Sequence, residues 1–495
     1  MKNLFFSRLF KITFLAIIII ELLSWIVLDN ITLNQLFFGI VIIICFLLSL
    51  KNLEWGIYII LAELVIGSKG YLLFFNINNF SVSLRLGLFL AVFVAYFIWI
   101  IRQRKILFFQ NKFKNYYLAL FFFLITAVII GYAKNNELKN IFFDANGYLF
   151  FGLILPITQI INDKNKFLNS LQVMLAATLT SFIKTILLLF IFSQQNIFYY
   201  YVAGVYQWVR RSGVGEIVRM DNDFYRIFFQ SHLYSIFIFF LGLSAITLYK
   251  KQELNIKQNK LFYLGFCLSI LIIFTSYSRS FWVAVLGSLV VYGFSALFLL
   301  KIKYKKIATI LLVVGLIFII DYGLALGIVN FPLPGNSKVN AMSLISERTK
   351  DPTQEAAGSS RIELLKPLLT KNFENWFMGG GFGTTVTYKS QDPRAMKSNF
   401  DGNYTTYAFE WGYLDLWLKL GLIGFIVYVL LLWKIFSSGL KHTMNENNID
   451  WKFIYFGSLL GLVALIAIHF LTPYLNHPLG IGWILLVGQF YSLDK

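Results

Sequence analysis

Residues 301–320 read KIKYKKIATILLVVGLIFII. Four lysines, Lys301, Lys303, Lys305 and Lys306, crowd one side of the charge-free run Ile307–Ile320. A bilayer core about 30 Å thick is crossed by a helix of about 20 mostly apolar residues, and lysines collect on the cytoplasmic side of such spans. Nearly charge-free runs recur at Phe14–Leu28, Leu36–Leu50, Leu86–Ile101, Leu118–Gly131 and Leu261–Phe274. Only helices and closed barrels satisfy the backbone inside lipid, and continuous apolar runs lack the alternation of a barrel strand. The whole chain agrees: of its 495 residues 58% are hydrophobic and 14% charged, with mean hydropathy +0.70. A soluble domain carries about 25% charged residues. The expected fold is all-α, a polytopic transmembrane helical bundle.

Counting runs predicts about fourteen spans at membrane-crossing length. They lie near 10–28, 31–50, 54–72, 83–101, 116–133, 147–162, 168–192, 229–249, 260–278, 281–300, 307–328, 412–435, 453–471 and 478–492. The span at 147–162 is short and contains Pro156. The start, with Lys2, Arg8 and Lys11 before a long apolar run and no small-residue cleavage site, reads as a retained first helix. Lysine and arginine cluster at Arg102–Lys114, Lys164–Lys166, Lys250–Lys260 and Lys301–Lys306. Starting inside, the count puts all of these connections in the cytoplasm, with both chain ends. The net charge of +19 is therefore read as membrane topology, and no nucleic acid is expected. Cys45 and Cys267 fall inside apolar runs and read as small buried hydrophobes, with no metal site and no cofactor implied.

Two non-apolar stretches fall outside, Gln194–Gln230 and the much longer Asn330–Trp411. The expected organisation is N-terminal spans over 1–193, spans with a first outer loop over 194–328, a long extracytoplasmic loop over 329–411 and C-terminal spans over 412–495. The long loop is too aromatic for a solvated tail. Ser359 or Ser360 is expected to cap a helix with Ile362, Leu365, Leu369, Phe373 and Phe377 on one face and a kink at Pro367, lying on the outer membrane surface.

The outer stretches are also basic, which the inside bias does not explain. They hold Arg210, Arg211, Arg219, Arg226, Arg348, Arg361 and Arg394, with Arg279 at the short turn Thr275–Ser280. The planar fork of arginine suits phosphate. The bland reading is that these side chains snorkel to lipid phosphates or pair with Asp221, Asp223 and Glu355. Within spans, Glu21, Glu63, Arg85, Lys184, Asp321, Asp415 and Lys419 are candidate functional charges, Arg85 being read as interfacial and Lys184 as central. Gly379-Gly380-Gly381-Phe382-Gly383 lacks the Lys-Ser/Thr of a phosphate loop and reads as a tight turn.

Four features occur in order: Asp223-Phe224-Tyr225-Arg226; Ser278-Arg279; Ser359-Ser360-Arg361 followed by Trp376 through Gly383; and Glu410-Trp411-Gly412-Tyr413-Leu414 before Gly421-Leu422-Ile423-Gly424. Over roughly 200–435 this set resembles the O-antigen ligase and O-antigen polymerase superfamily of bacterial glycan assembly. The resemblance implies a metal-independent membrane glycosyltransferase, similar to those of the C type. Such an enzyme works on the outer face of the bacterial cytoplasmic (inner) membrane in polysaccharide biosynthesis. The implied donor is a polyprenyl-diphosphate-linked oligosaccharide and the acceptor a glycan hydroxyl, with membrane lipids, a chain-length regulator and a flippase as further partners.

On this resemblance Arg279, Arg361 and Glu410 are the expected catalytic residues. Arg226, Arg219, Arg211, His232, Lys184, Tyr407 and Trp411 are expected to bind substrate. Many relatives have His-Asn where this chain has Glu410-Trp411. Either Glu410 takes the acceptor proton, shielded where the loop re-enters the membrane, or Asp401 or His232 serves instead. Polymerisation of lipid-linked repeats is the leading expectation. Ligation to a lipid or protein acceptor is the nearest alternative, a lipid-linked glycan flippase the rival of another class, and a cell-wall polymerase of the shape, elongation, division and sporulation type a weaker one.

Overall fold

The computed structural model describes residues 5–77, 80–220, 224–249, 260–331, 356–390 and 402–493. Arg348, Glu355, Arg394, Asp221, Asp223 and Asp401 lie outside the described residues. The helices are α1 Arg8–Ile26, α2 Ile31–Lys51, α3 Leu53–Gly67, α4 Leu84–Gln103, α5 Lys114–Ala133, α6 Leu138–Asn146, α7 Ile154–Ile160, α8 Lys164–Ser193 and α9 Gln195–Arg211. They continue as α10 Leu233–Leu248, α11 Lys260–Thr275, α12 Arg279–Phe294, α13 Tyr304–Val329, α14 Ala356–Glu374, α15 Gly412–Asn445, α16 Ile449–His469 and α17 Pro478–Ser492. Their starts are chemically marked: Ser7, Asn30, Ser83, Asp163 and Asn448 each offer a side-chain oxygen to an otherwise unpaired amide of the first turn.

Every expected span coincides with helix, so the protein is an all-α polytopic membrane protein. Among the described residues, ten helices are long and apolar enough to cross a bilayer alone, or up to eleven when the bent pair Leu138–Asn146 and Tyr148–Ile160 is one span. The expectation of about fourteen thus includes short helices, α3, α11 and α17, that rely on their neighbours. The expected span at 147–162 is a tight 3-10 turn, Tyr148–Leu153, running into α7. A proline and the bend at Gly147 leave too little straight helix there to cross unaided.

Burial separates two kinds of helix. The central α10 and α17 are packed on all sides and apolar all round, as a helix with no water-facing stripe must be. The outer α1, α2 and α13 leave rows such as Ile19, Leu22 and Ile26 exposed, an apolar surface that lipid would cover.

Side-chain bonds gather the lysine-rich connections at one end of the bundle. Lys164 reaches Glu446 at 2.9 Å, Lys166 pairs with Glu54, Lys306 donates to the Tyr249 carbonyl at 3.3 Å, and Asn111 meets Gln489 at 2.7 Å. The opposite end carries α9, α14 and three two-stranded antiparallel hairpins, Phe74–Ile77 with Phe80–Ser83, Glu216–Arg219 with Tyr225–Phe228, and Val386–Lys389 with Asn403–Thr406. This separation sets up a direct test of orientation. A cysteine at the exposed Lys366, in a chain without Cys45 and Cys267, is expected to react with a membrane-impermeant thiol reagent in intact cells. Labelling only after permeabilisation would reverse the orientation.

The helix α14 begins before Ser359, so neither serine caps it. Ser360 instead bonds the Tyr388 hydroxyl at 2.7 Å. Its buried residues are Leu364, Leu368 and Asn372, packed on Val386, Tyr388, Phe409 and Leu418, and not the expected Ile362–Phe377 face. The reason is tertiary: the loop's own hairpin and the start of α15 cover one side of α14. Ile362, Phe373 and Phe377 therefore face outward, where the expected membrane surface would meet them.

Candidate functional site: a polar cavity beneath the long loop

The glycine motif locks the long loop to the bundle. Gly379, Gly381 and Gly383 all have φ near +80°, at +79°, +77° and +77°, which residues with a Cβ avoid. Gly380 N donates to the Leu418 carbonyl at 2.6 Å and Phe382 N to that of Ala127 at 2.9 Å. Lys134 ties the same turn down through the Asn375 side chain and the Gly379 carbonyl at 2.9 Å. Burial, and then the charge of Lys371, hold the Lys134 ammonium below its ordinary pKa. Gly421, with φ +71°, breaks α15 opposite this turn, so that Leu422 N bonds the Trp376 carbonyl at 3.0 Å. The motif is a tight turn, as its sequence indicated.

The same turn positions a buried charge cluster. Gly383 N donates to Asp144 Oδ2 at 2.8 Å, while Lys419 Nζ donates to Asp144 Oδ1 and to the Tyr407 carbonyl at 2.6 Å. Lys419 also lies 3.0 Å from Asp415 Oδ1, one turn earlier on α15, and Asn476 donates to Asp415 Oδ2 at 2.5 Å. Two carboxylates share one ammonium, which leaves one negative charge in excess in a region shielded from water.

These residues border a cavity of about 510 Å³, a common size for small-molecule sites, which run about 300–1,000 Å³. Another part of its wall carries the cations Lys69 and Arg85, together with Ser83, His477, Gln230 and Tyr71. Arg85 is buried and grips Glu63 with both nitrogens of its fork, at 2.8 and 3.1 Å. Arg85 stands at the end of its span, the second residue of α4, and the pair with Glu63 of α3 turns its side chain into the bundle. His477 Nδ1 accepts from Leu479 N at 3.3 Å and caps α17. Burial, and then the charges of Arg85 and Lys69, push its pKa down to about 3. The ring is neutral at physiological pH and carries its proton on Nε2, a hydrogen-bond donor. Burial, and then the charge of Asp144, push the Tyr407 phenol up, so it also remains a donor.

A second polar element is the turn carrying Arg279. Tyr277 is held there at φ +46°, unusual for an aromatic residue, by the rings of Phe224, Phe274 and Trp282. Arg226 reaches the turn from its hairpin, its Nε donating to the Ser276 carbonyl at 2.7 Å. The segment 472–477 joins turn and cavity: Thr472 bonds Ser280 at 3.1 Å and Tyr474 bonds the Gln230 carbonyl at 3.0 Å. Pro473, Asn476 and His477 of this segment line the cavity.

The structure thus joins some expected site residues and separates others. Arg226 meets the Arg279 turn, and Tyr407 lines the cavity. Arg361 and Glu410 form an ion pair, and Trp411 donates its indole N–H to the Arg361 carbonyl at 2.9 Å. Glu410 is not among the cavity-lining residues and its side chain is 51% exposed, so the expected shielding is absent. Lys184 pairs with Glu21 beside Trp208 and Phe229, inside an apolar groove between α1, α8 and α9. His232 is buried against Thr185 at 3.0 Å. Arg211 is taken up by Asp29 at 2.7 Å, and Arg219 sits on the exposed edge of its hairpin. Asp144, Lys69 and His477 went unread in the sequence. Asp144 belongs to a short, weakly apolar helix that spans nothing by itself, and nothing local to it reveals Lys419, 275 positions away.

Fold and cavity define a multi-pass membrane protein with a polar chamber under a long loop. Residues 264–429 match the family model described as O-antigen ligase, which supports the O-antigen ligase and polymerase superfamily. The matched stretch carries Arg279, Arg361, the glycine motif, Glu410, Asp415 and Lys419, and supports a membrane glycan function of the ligase or polymerase type. No curated protein matches the chain.

Proposed function

We propose that this protein is a glycosyltransferase that polymerises polyprenyl-diphosphate-linked oligosaccharide repeats on the outer face of a bacterial cytoplasmic membrane. The observation that carries this reading is the attachment of Arg226 to the Arg279 turn, which the segment beginning at Thr472 joins to a cavity lined by both charges and rings. The donor's diphosphate binds at the two arginines, whose forks hold its oxygens and stabilise the charge that grows as it leaves. The sugars enter the cavity, where Tyr71, Phe143 and Tyr407 offer ring faces and Gln230 and His477 offer hydrogen bonds. Arg361 and Glu410 form a polar rim by which the acceptor glycan enters.

The family description favours a second reading, ligation of a finished glycan to another acceptor. Incubating the purified full-length protein with a synthetic polyprenyl-diphosphate oligosaccharide and separating the products by size distinguishes the two. A ladder of lengths is expected. A single transfer, seen only when another acceptor is added, means ligation, and no chemistry with movement of the lipid across vesicles means transport.

A further inference from the structure

We propose that Asp144 is the carboxylate that takes the proton from the acceptor hydroxyl, with Lys419 as its positioning residue. This rests on the glycosyl-transfer reading above. Asp144 lines the cavity, and of the two carboxylates on Lys419 it is the more accessible, its side chain 8% exposed against 3% for Asp415. The pair carries one negative charge more than Lys419 neutralises, so it can take up one proton without leaving the ammonium unpaired. A second observation points the same way. Asp415 is held at Oδ1 by Lys419 Nζ at 3.0 Å and at Oδ2 by Asn476, so it keeps the ammonium paired when Asp144 takes up a proton.

In the step proposed, the acceptor oxygen bonds to the donor's anomeric carbon as the bond from that carbon to the diphosphate oxygen breaks. The bonding pair leaves with the diphosphate, toward Arg226 and Arg279, and the hydroxyl proton passes to Asp144. Gly383 N and Lys419 fix the carboxylate's orientation while the second lone pair of each oxygen stays available. Lys419 acts through Asp144 and touches no substrate. Glu410 is the contrasting case: it is exposed and already engaged by Arg361.

The test is Asp144→Asn in the full-length protein, assayed with the synthetic polyprenyl-diphosphate oligosaccharide. A general base contributes about 10²–10⁴-fold, so kcat is expected to fall by that factor with donor binding unchanged. Glu410→Gln is expected to raise KM for the acceptor and lower kcat less than tenfold. Asp144→Asn leaves Lys419 paired one to one with Asp415, so it is expected to fold. If it does not, the triple variant Asp144→Asn/Asp415→Asn/Lys419→Met removes all three charges and keeps the volume, and is expected to be folded and equally slow. An active Asp144→Asn or triple variant overturns the proposal, as does a dead Glu410→Gln beside an active Asp144→Asn. Wild-type protein that makes no product sinks the glycosyl-transfer reading instead, so the two failures are distinguishable.

Discussion

Arg279→Lys is expected to lower transfer about 10²–10³-fold, the loss seen when one donor that stabilises a developing oxyanion is removed. Expression and detergent-extracted size should be those of the wild type. The substitution keeps the charge and removes only the fork, and a flexible ammonium does not reproduce two parallel bonds to a phosphate. Arg279 is half-buried at the first turn of α12, where its backbone is set by the strained Tyr277 and by the bond from Arg226 to Ser276. A lysine there has the reach but not the geometry. A Lys variant with wild-type turnover would leave Arg279 as an anchor for lipid phosphates. Salt would tell the same story, since an exposed point charge is screened and a half-buried bidentate pair much less so.

Gly381→Ala is expected to destabilise the protein by about 2–5 kcal/mol, adding the cost of a left-handed residue to that of an over-packed contact. A Cβ there would lie 2.2 Å from Gly131 N and 2.7 Å from the Ala127 carbonyl, both backbone atoms that cannot swing aside. Relief requires pulling the long loop away from α5, which also loosens the Gly383 bond to Asp144. Thermal unfolding followed by size-exclusion chromatography should show a large downward shift together with lost transfer. Gly293→Ala is the control: nothing lies within 4 Å of its Cβ, and alanine is the better helix former. Equal melting of Gly381→Ala and wild type would mean that the turn does not clamp the loop.

The sequence by itself determined the class of protein. Runs such as Ile307–Ile320 have nowhere to go but lipid, and the lysines beside them mark one end of the bundle. It also determined the tight turn at Gly379–Gly383, since glycine at this density permits conformations other residues avoid. The pairing of charges was decided only by tertiary structure. Asp415 and Lys419 are legible as a pair one helical turn apart, but Asp144 joins them from another helix through a loop that closes over both. Arg85 likewise finds its partner, Glu63, on a neighbouring helix. The stripe of α14 was misread for a related reason: its apolar residues cover more than one face, and only the hairpin packed against it selects Leu364 and Leu368 for burial. Hydropathy acts along the chain and can be read from it. A buried charge must find its partner across the fold, where water no longer weakens the attraction, and that choice belongs to the packed structure alone.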